Sequence, residues 1–524
     1  MPALETCKTI RKLEKARPDR GPQKGRVLIL KKTLCVVDYS LAALVGSSGI
    51  AIALMTVERG VWLDEFITIA WTTPGTSPRE FLHLMITRDL HPILHYGMVY
   101  LLQAAGVTDI ALLRSINLLG LPLVIFAVAY GFRLKLINLS QALIVWVLFA
   151  SSPIFFEYFA ELRSYFLLYA ASIATSILWY VLMRQIDAGQ NVSATTISIW
   201  GACLAIFVNL HYFATILGGM LTAVLLMRLA IRGLWSKLLV IAVVSLVAAA
   251  PALVLGALQE VSTPKGLMSW IKTSPIESIK MSVRMVEGAA ARNLAAVACA
   301  VVTCLFILED WRKWVELRTP VILLGVIALF LGALVLANAV TPLIWDRYLI
   351  AGAGAVTFAV AILAASSGAP VWLPAAASAI ALLLQAQTLR SNLGIDERGW
   401  LLSASAVAQL NSECPTTKIF AYPAYNHTSG LNDNDISIGL KMNPISYGYY
   451  AKKFQFSYED LRPGATIAAS GPCPSVIWIE HVSPIFAANP NVDTEQVLNE
   501  FQISKIGVAE MKRYGLGVVI VVRE

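Results

Sequence analysis

Two acidic sites lie close together near the amino end of the chain, Trp62-Leu63-Asp64-Glu65 and Asp89-Leu90-His91-Pro92. Both follow the first long apolar run, in a polar stretch that also carries Trp and Pro. Carboxylates are costly in or near hydrocarbon and are seldom kept there for stability alone. Of the adjacent acids Asp64 and Glu65, one could take a proton from a hydroxyl as general base while the other orients it or an ion. Equally, the pair could cap a helix amino end. Asp89 reads in two ways as well. It could cap the helix that Pro92 opens, or join His91 and His95, which share a helical face, in a cation site. No third protein ligand is clearly placed, so no metal site is assigned.

Three further sets have useful chemistry. Glu161-Leu162-Arg163-Ser164-Tyr165 falls between two apolar runs, one turn after Glu157. It reads either as an ion pair bracing the junction or as a phosphate and sugar contact through Arg163. His211-Tyr212 sits in a tight turn and suits sugar hydroxyls. In Trp345-Asp346-Arg347-Tyr348, Arg347 is the best candidate for gripping a lipid-linked phosphate, because a guanidinium fork matches phosphate oxygens and stays charged. Its alternative is to snorkel to headgroups. The stretch 258–292 adds Lys265, Lys272, Lys280, Arg284 and Arg292 around Trp270, a pattern for anionic headgroups or a phosphate carrier. The expected catalytic pair is therefore Asp64 and Glu65. The expected substrate contacts are Asp89, His91, Glu161, Arg163, Tyr165, His211, Tyr212, Arg347 and Tyr348.

The elements that must position these residues are membrane helices. Apolar residues make up 57% of the 524 and charged ones 14%, with mean hydropathy +0.67. Soluble chains are nearer a quarter charged, so this is a polytopic, mainly α membrane protein. The net charge of +8 is concentrated in part in ten basic residues from Lys8 to Lys32. They abut the first apolar run and read as a cytoplasmic anchor rather than a nucleic-acid tail. The run is too long for a cleaved signal peptide.

Spans are expected near 33–56, 113–132, 139–157, 164–183, 195–211, 213–230, 237–257, 293–308, 319–339, 348–365 and 371–389, eleven in all. Pro92–Ala105 is too short to span and is expected to lie on the surface as an interfacial helix. That parity puts Arg133, Lys135, Arg184, Arg228, Arg232, Lys237, Arg312, Lys313 and Arg318 on the inner face. The outer face then collects the loop 57–112, Glu157–Tyr165, Asn209–Tyr212, the loop 258–292, Thr341–Tyr348 and everything past Arg390. Three divisions follow: a basic segment 1–32, a transmembrane region 33–389 and a small extracytoplasmic α/β domain 390–524. In the last, strands are expected at Lys418–Tyr422, Ser475–Glu480 and Gly517–Val522, and helices at Trp400–Asn411 and Thr494–Phe501. Cys414 and Cys473 are a candidate disulfide there. Cys203, Cys299 and Cys304 sit in apolar spans.

In these motifs the chain resembles the GT-C superfamily of polytopic glycosyltransferases, especially the protein O-mannosyltransferases and the aminoarabinose transferases of lipid A. The likeness runs over residues 33–365 through W-x-D-E at Trp62–Glu65, D-x-H-P at Asp89–Pro92 and A-L-L-R at Ala111–Arg114. An E-x-R-x-Y stretch, an H-Y turn and a late R-Y complete it. The resemblance implies a polyprenyl-phosphate sugar donor, with Asp64 as the base that deprotonates an acceptor hydroxyl and inversion at the anomeric carbon. Glu65 and Asp89 would support the base, and Arg163 and Arg347 would hold the phosphate. It also implies a bacterial inner membrane location, with the carboxyl-terminal domain outside. Ile67 and Thr68 stand where the aminoarabinose transferases place a basic residue; neither a β-trefoil insert nor a W-W-D motif is present. The acceptor therefore stays open among lipid-linked glycan, cell-wall polymer and protein. A divalent cation is the one candidate cofactor, membrane lipids are partners and nucleic acid is not. From a different class, the chain could be a secondary transporter or a flippase of lipid-linked glycans, which would place charges midway along its helices.

Overall fold

The computed structural model describes residues 40–54, 59–262, 271, 273–309, 317–367, 369–392, 400–423, 440–469, 471–480, 492–514 and 517–524. The basic segment before residue 33, Lys265, Trp270, Lys272, Arg312 and Lys313 lie outside the described residues. Six described helices are long and apolar enough to cross a membrane: Ile110–Arg133, Tyr165–Asp187, Tyr212–Ile231, Trp235–Ser262, Arg318–Val340 and Asp346–Ser366. Pro275–Ala289 and Leu294–Leu305, bent by 100°, make a seventh if counted as one. Shorter apolar helices run over Ser40–Leu54, Leu139–Ser151, Ala194–Val208 and Trp372–Leu384. The described part of each of the eleven expected runs is thus helical, and six or seven of these helices are long and apolar enough to cross a membrane.

Helix Tyr165–Asp187 is buried throughout its apolar window and Asp346–Ser366 nearly so, which puts this pair at the centre of the bundle. Ser172 Oγ donates to the Ala351 carbonyl at 2.7 Å, and the Tyr169 and Thr357 hydroxyls meet at 2.8 Å. A Cβ on Gly354 would stand 2.5 Å from the Tyr169 carbonyl oxygen, so only glycine permits this crossing. The 23-residue helix Tyr165–Asp187 is roughly 34 Å long, about the thickness of a hydrocarbon core. At its far end Asp187 Oδ1 accepts from Arg228 Nε at 2.6 Å, and Arg318 Nη2 stands 3.6 Å from Oδ2. Basic residues assigned to one face by charge therefore do meet at one end.

The stretch 59–112 carries the helix expected over Pro92–Ala105 and, where only loop was expected, two helices more. The three are Leu63–Trp71, Pro78–Thr87 and Leu94–Ala104. Ser77 caps the second by accepting from Glu80 N at 3.2 Å, and Pro78 takes the first-turn position where its missing N–H is harmless. Trp71, Phe81, Met85 and Tyr96 close a small apolar cluster between them. Within 258–292, the described residues include the end of helix Trp235–Ser262 and helix Pro275–Ala289. Ser274 and Glu277 form a reciprocal capping box that starts helix Pro275–Ala289. The expected run 139–157 breaks at Ser152-Pro153, where Ser152 ends one helix and caps the next, Pro153–Tyr158.

The carboxyl-terminal region is α/β. Strands β1 (Lys418–Ala421), β2 (Glu459–Asp460), β4 (Ser475–Ile479), β6 (Val508–Tyr514) and β7 (Gly517–Arg523) form one sheet in the order β2-β1-β4-β7-β6. β1 runs parallel to β2 and β4, and β7 antiparallel to β4 and β6. Strands β3 (Thr466–Ala468) and β5 (Ser504–Ile506) pair separately. Alternate residues of β4 face opposite cores. Val476 and Trp478 meet helix Trp400–Glu413, while Ile477 and Ile479 meet Val497 and Leu498 of helix Thr494–Glu500. Strands on both faces of which something packs read as unbroken Val/Ile runs, as β7 does. Cys414 and Cys473 are joined in a disulfide.

Candidate active site

Asp64 and Glu65 occupy the first turn of helix Leu63–Trp71, whose N-cap is Trp62. Neighbouring helical residues point about 100° apart, and the two acids take different surroundings. Asp64 Oδ2 lies 2.7 Å from Arg347 Nη1, with the two side chains 15% and 13% exposed. Glu65 is fully buried. It receives Arg114 Nε on Oε1 and Nη2 on Oε2, each at 2.8 Å, and Leu162 N at 2.7 Å. Burial alone would raise its pKa; the paired Arg114 guanidinium outweighs that and holds it below the usual carboxylate range. Arg114 also donates to the carbonyls of Arg59 and Gly60. Glu65 thus ties the Asp64 helix to the bundle, and the accessible carboxylate is Asp64.

Arg347 stands on the 3-10 turn Asp346–Leu349 that leads into the central helix. Its guanidinium lies over the Trp62 ring at 5.1 Å and near the Tyr165 ring at 5.6 Å. Tyr165 opens the other central helix. Arg163, just before it, donates through Nη1 to Tyr96 OH at 2.5 Å, and to the Asp64 carbonyl and Thr68 Oγ1 at 3.3 Å each. Arg163 therefore fixes the backbone beneath the acid. Burial would lower its pKa, but Tyr96 and Asp64 keep it well above the ordinary arginine value.

Asp89 does not cap the following helix, which starts at Leu94 with Ile93 as N-cap. Its Oδ1 instead accepts from His91 N and faces His91 Nδ1, both at 2.7 Å. Burial would raise the Asp89 pKa, and His91 reverses this so that it lies low. The His91 ring meets those of His211 at 5.4 Å, Tyr348 at 6.2 Å and Tyr165 at 6.5 Å. His211 and Tyr348 are 5.0 Å apart. Asp64, Asp89, His91, Arg163, Tyr165, His211, Arg347 and Tyr348 thus converge at one end of the bundle, away from Asp187.

Two expected contacts stand behind this ring. Tyr212 OH donates to Gln259 Oε1 at 2.6 Å, and Gln259 Nε2 donates to the Met85 carbonyl at 2.8 Å, bracing the segment that ends in His91. Glu161 is buried at the junction with Arg59 Nη2 3.6 Å away. Asp89, His91 and His95 do not make a cation site: among the described residues no group of three or more His, Cys, Asp or Glu could hold a metal ion. Tyr96 and Arg59 were not singled out by sequence. Tyr96 is one aromatic among many, and Arg59 a lone charge before a motif.

Among the described residues, the buried polar atoms around this centre that have no hydrogen-bond partner include Tyr165 OH, Arg347 Nε and His95 Nε2. Leaving such atoms unmatched costs about 1–3 kcal/mol each, a cost that a polar ligand reaching them would offset. An open cleft of about 490 Å³ in the carboxyl-terminal region, lined by Lys418, Phe420, Asp460 and Arg462, shares none of these residues.

No family model and no curated protein matches the chain. Two solved structures are similar to it. ArnT from Cupriavidus metallidurans in the apo state is 10% identical over 91% of this chain and 97% of that one, with a TM-score of 0.49. ArnT from the same organism bound to undecaprenyl phosphate is 11% identical over the same shares, with a TM-score of 0.45. Likeness at that level says nothing of chemistry, which this chain's own side chains must carry.

Proposed function

We propose that the chain is a membrane glycosyltransferase that moves a sugar from a polyprenyl-phosphate donor to an acceptor hydroxyl. The observation that carries this is the pairing of a partly open carboxylate, Asp64, with an equally half-buried guanidinium, Arg347, beside unmatched Tyr165 OH and Arg347 Nε. A phosphate placed there would take hydrogen bonds from Arg347 and Tyr165 in a low-dielectric setting, where charge-assisted bonds are strong. The motif resemblance to GT-C transferases supports the same donor.

The chemistry then follows. The acceptor O–H gives its proton to Asp64, its oxygen bonds to the anomeric carbon, and the bond from that carbon to the phosphate oxygen breaks with inversion. The electron pair leaves on the polyprenyl phosphate, whose charge Arg347 stabilises. A carboxylate oxygen already held by a guanidinium is a poor proton acceptor. Arrival of the phosphate draws Arg347 toward itself and leaves Asp64 free for the hydroxyl. His91, His211 and Tyr348 offer edges for sugar hydroxyls, and Asp89 orients His91. The site faces the outer side of a bacterial inner membrane, as charge parity expects. We read 33–389 as the transferase domain and 390–524 as an extracytoplasmic domain.

A transporter is disfavoured by one feature: none of the six long helices among the described residues carries Asp, Glu, Lys, Arg or His midway along its length. The test is Asp64→Asn in purified protein, assayed for sugar transfer from a polyprenyl-phosphate donor. Transfer falls about a thousandfold with the protein still folded; unchanged transfer removes Asp64 as base.

A further inference from the structure

The helix that carries Asp64 belongs to two cores at once. On one side Glu65, Arg114 and Arg163 fasten it to the bundle. On the other, Val61, Trp62, Leu63 and Phe66 are buried in one apolar cluster with Trp400, Ala404, Tyr447, Tyr450, Trp478 and Val519 of the carboxyl-terminal region. The Phe66 ring lies 5.1 Å from Trp400, 6.0 Å from Tyr449 and 6.1 Å from Tyr450.

Within that cluster one polar contact differs from general packing. The hydroxyl of Tyr450, on helix Tyr447–Phe454, accepts from Val61 N and donates to Val61 O, both at 2.8 Å and both buried. A single phenol thus satisfies both backbone groups of one residue, as a neighbouring strand would. Val61 has no helical partner to offer these groups, because the helix begins two residues later. The next residue is Trp62, whose ring supports the Arg347 guanidinium, and Asp64 follows in the first turn. A shift of Val61 along its backbone would therefore move the Trp62 platform and the acid together.

We propose that Tyr450 is a positioning residue, through which the carboxyl-terminal region sets the backbone of Val61–Asp64 and with it the alignment of Asp64 and Arg347. The region is then a part of the catalytic apparatus rather than an appendage. This rests on the reading of Asp64 as the base. Tyr450 itself touches no reacting atom; it acts through Val61. Positioning within fractions of an ångström matters for rate far more than for affinity.

The test uses the full chain in detergent and compares Tyr450→Phe with Tyr447→Phe. Tyr450→Phe keeps the ring in its cluster and removes both bonds to Val61. Tyr447→Phe removes a hydroxyl that accepts from Glu480 N at 3.1 Å inside the same region. Amide hydrogen exchange is followed in peptides covering residues 60–71 and 165–187. In Tyr450→Phe, exchange at Val61–Phe66 rises at least tenfold with 165–187 unchanged, and kcat for sugar transfer drops about 10- to 100-fold while KM for the polyprenyl-phosphate donor stays within twofold. Tyr447→Phe leaves both readouts near wild type. The proposal is overturned if exchange at Val61–Phe66 does not rise, if it rises equally in Tyr447→Phe, or if kcat is unmoved while exchange rises. Should wild type itself transfer no sugar while the exchange pattern holds, the transferase reading falls and the hold of Tyr450 on Val61 stands.

Discussion

Arg347 Nη1 lies 2.7 Å from Asp64 Oδ2, closing a contact between helix Leu63–Trp71 and the turn that opens a central helix of the bundle. The two side chains are neither sealed nor free in solvent, and both are braced from behind. Arg347 rests on the Trp62 and Tyr165 rings, and the Asp64 carbonyl accepts from Arg163. A pair held in this way can exchange partners without a large rearrangement.

That exchange makes a prediction for Arg347. Replacing it with Ala removes the phosphate grip and leaves Asp64 without its guanidinium, so affinity for a polyprenyl phosphate falls at least about tenfold, the equivalent of one charge-assisted hydrogen bond. Arg347→Lys keeps the charge but not the fork and recovers only part of the loss. Fluorescence-quench titration with a polyprenyl phosphate reads both; equal affinity in wild type and Arg347→Ala excludes the assigned grip.

Glu65 and Arg114 behave differently, because their pair is closed. Removing one partner leaves an uncompensated charge in the protein interior, so Arg114→Ala lowers stability by about 3–5 kcal/mol. A large fall in melting temperature or detergent half-life is the expected readout. If Arg114→Ala melts with wild type, the anchor is not where the stability lies.

Acid should loosen the site in a defined window. Burial, reinforced by Arg163, pushes His95 down to about 3, and burial with His91 beside it holds His211 well below its ordinary value. Both imidazoles stay neutral in the fold, whereas the unfolded chain takes up protons below about pH 6.5. Unfolding then binds protons, so this contribution is complete above about pH 6.5 and is lost as pH falls toward the folded values. The slope approaches about 1.4 kcal/mol per pH unit for each histidine. Melting temperature measured from about pH 6.5 to 4.5 falls less steeply in His95→Gln than in wild type; identical slopes contradict the assignment.

Much of this arrangement could be read before any coordinates. Trp62–Glu65, Asp89–Pro92, Glu161–Tyr165, His211 and Arg347 all flank apolar runs, and counting those runs sorts them to one face. The lengths of the runs were legible for the same reason, since a bilayer imposes a thickness on any helix that crosses it. The stretches 57–112 and 258–292 were less legible. Helices Pro78–Thr87 and Pro275–Ala289 are started by local signals, Ser77-Pro78 and the Ser274–Glu277 box, that a hydropathy reading passes over.

What composition and order alone determined was the class of molecule, the end of the bundle where these polar residues gather and their chemical types. Periodicity and charge act along the chain, and those properties depend on nothing else. Only the tertiary structure decided the roles. It opened Asp64 toward Arg347 and closed Glu65 onto Arg114, set Tyr212 behind the ring, and joined Tyr450 to Val61. Adjacent residues on a helix face different neighbours, and those neighbours come from distant segments whose meeting no local pattern encodes.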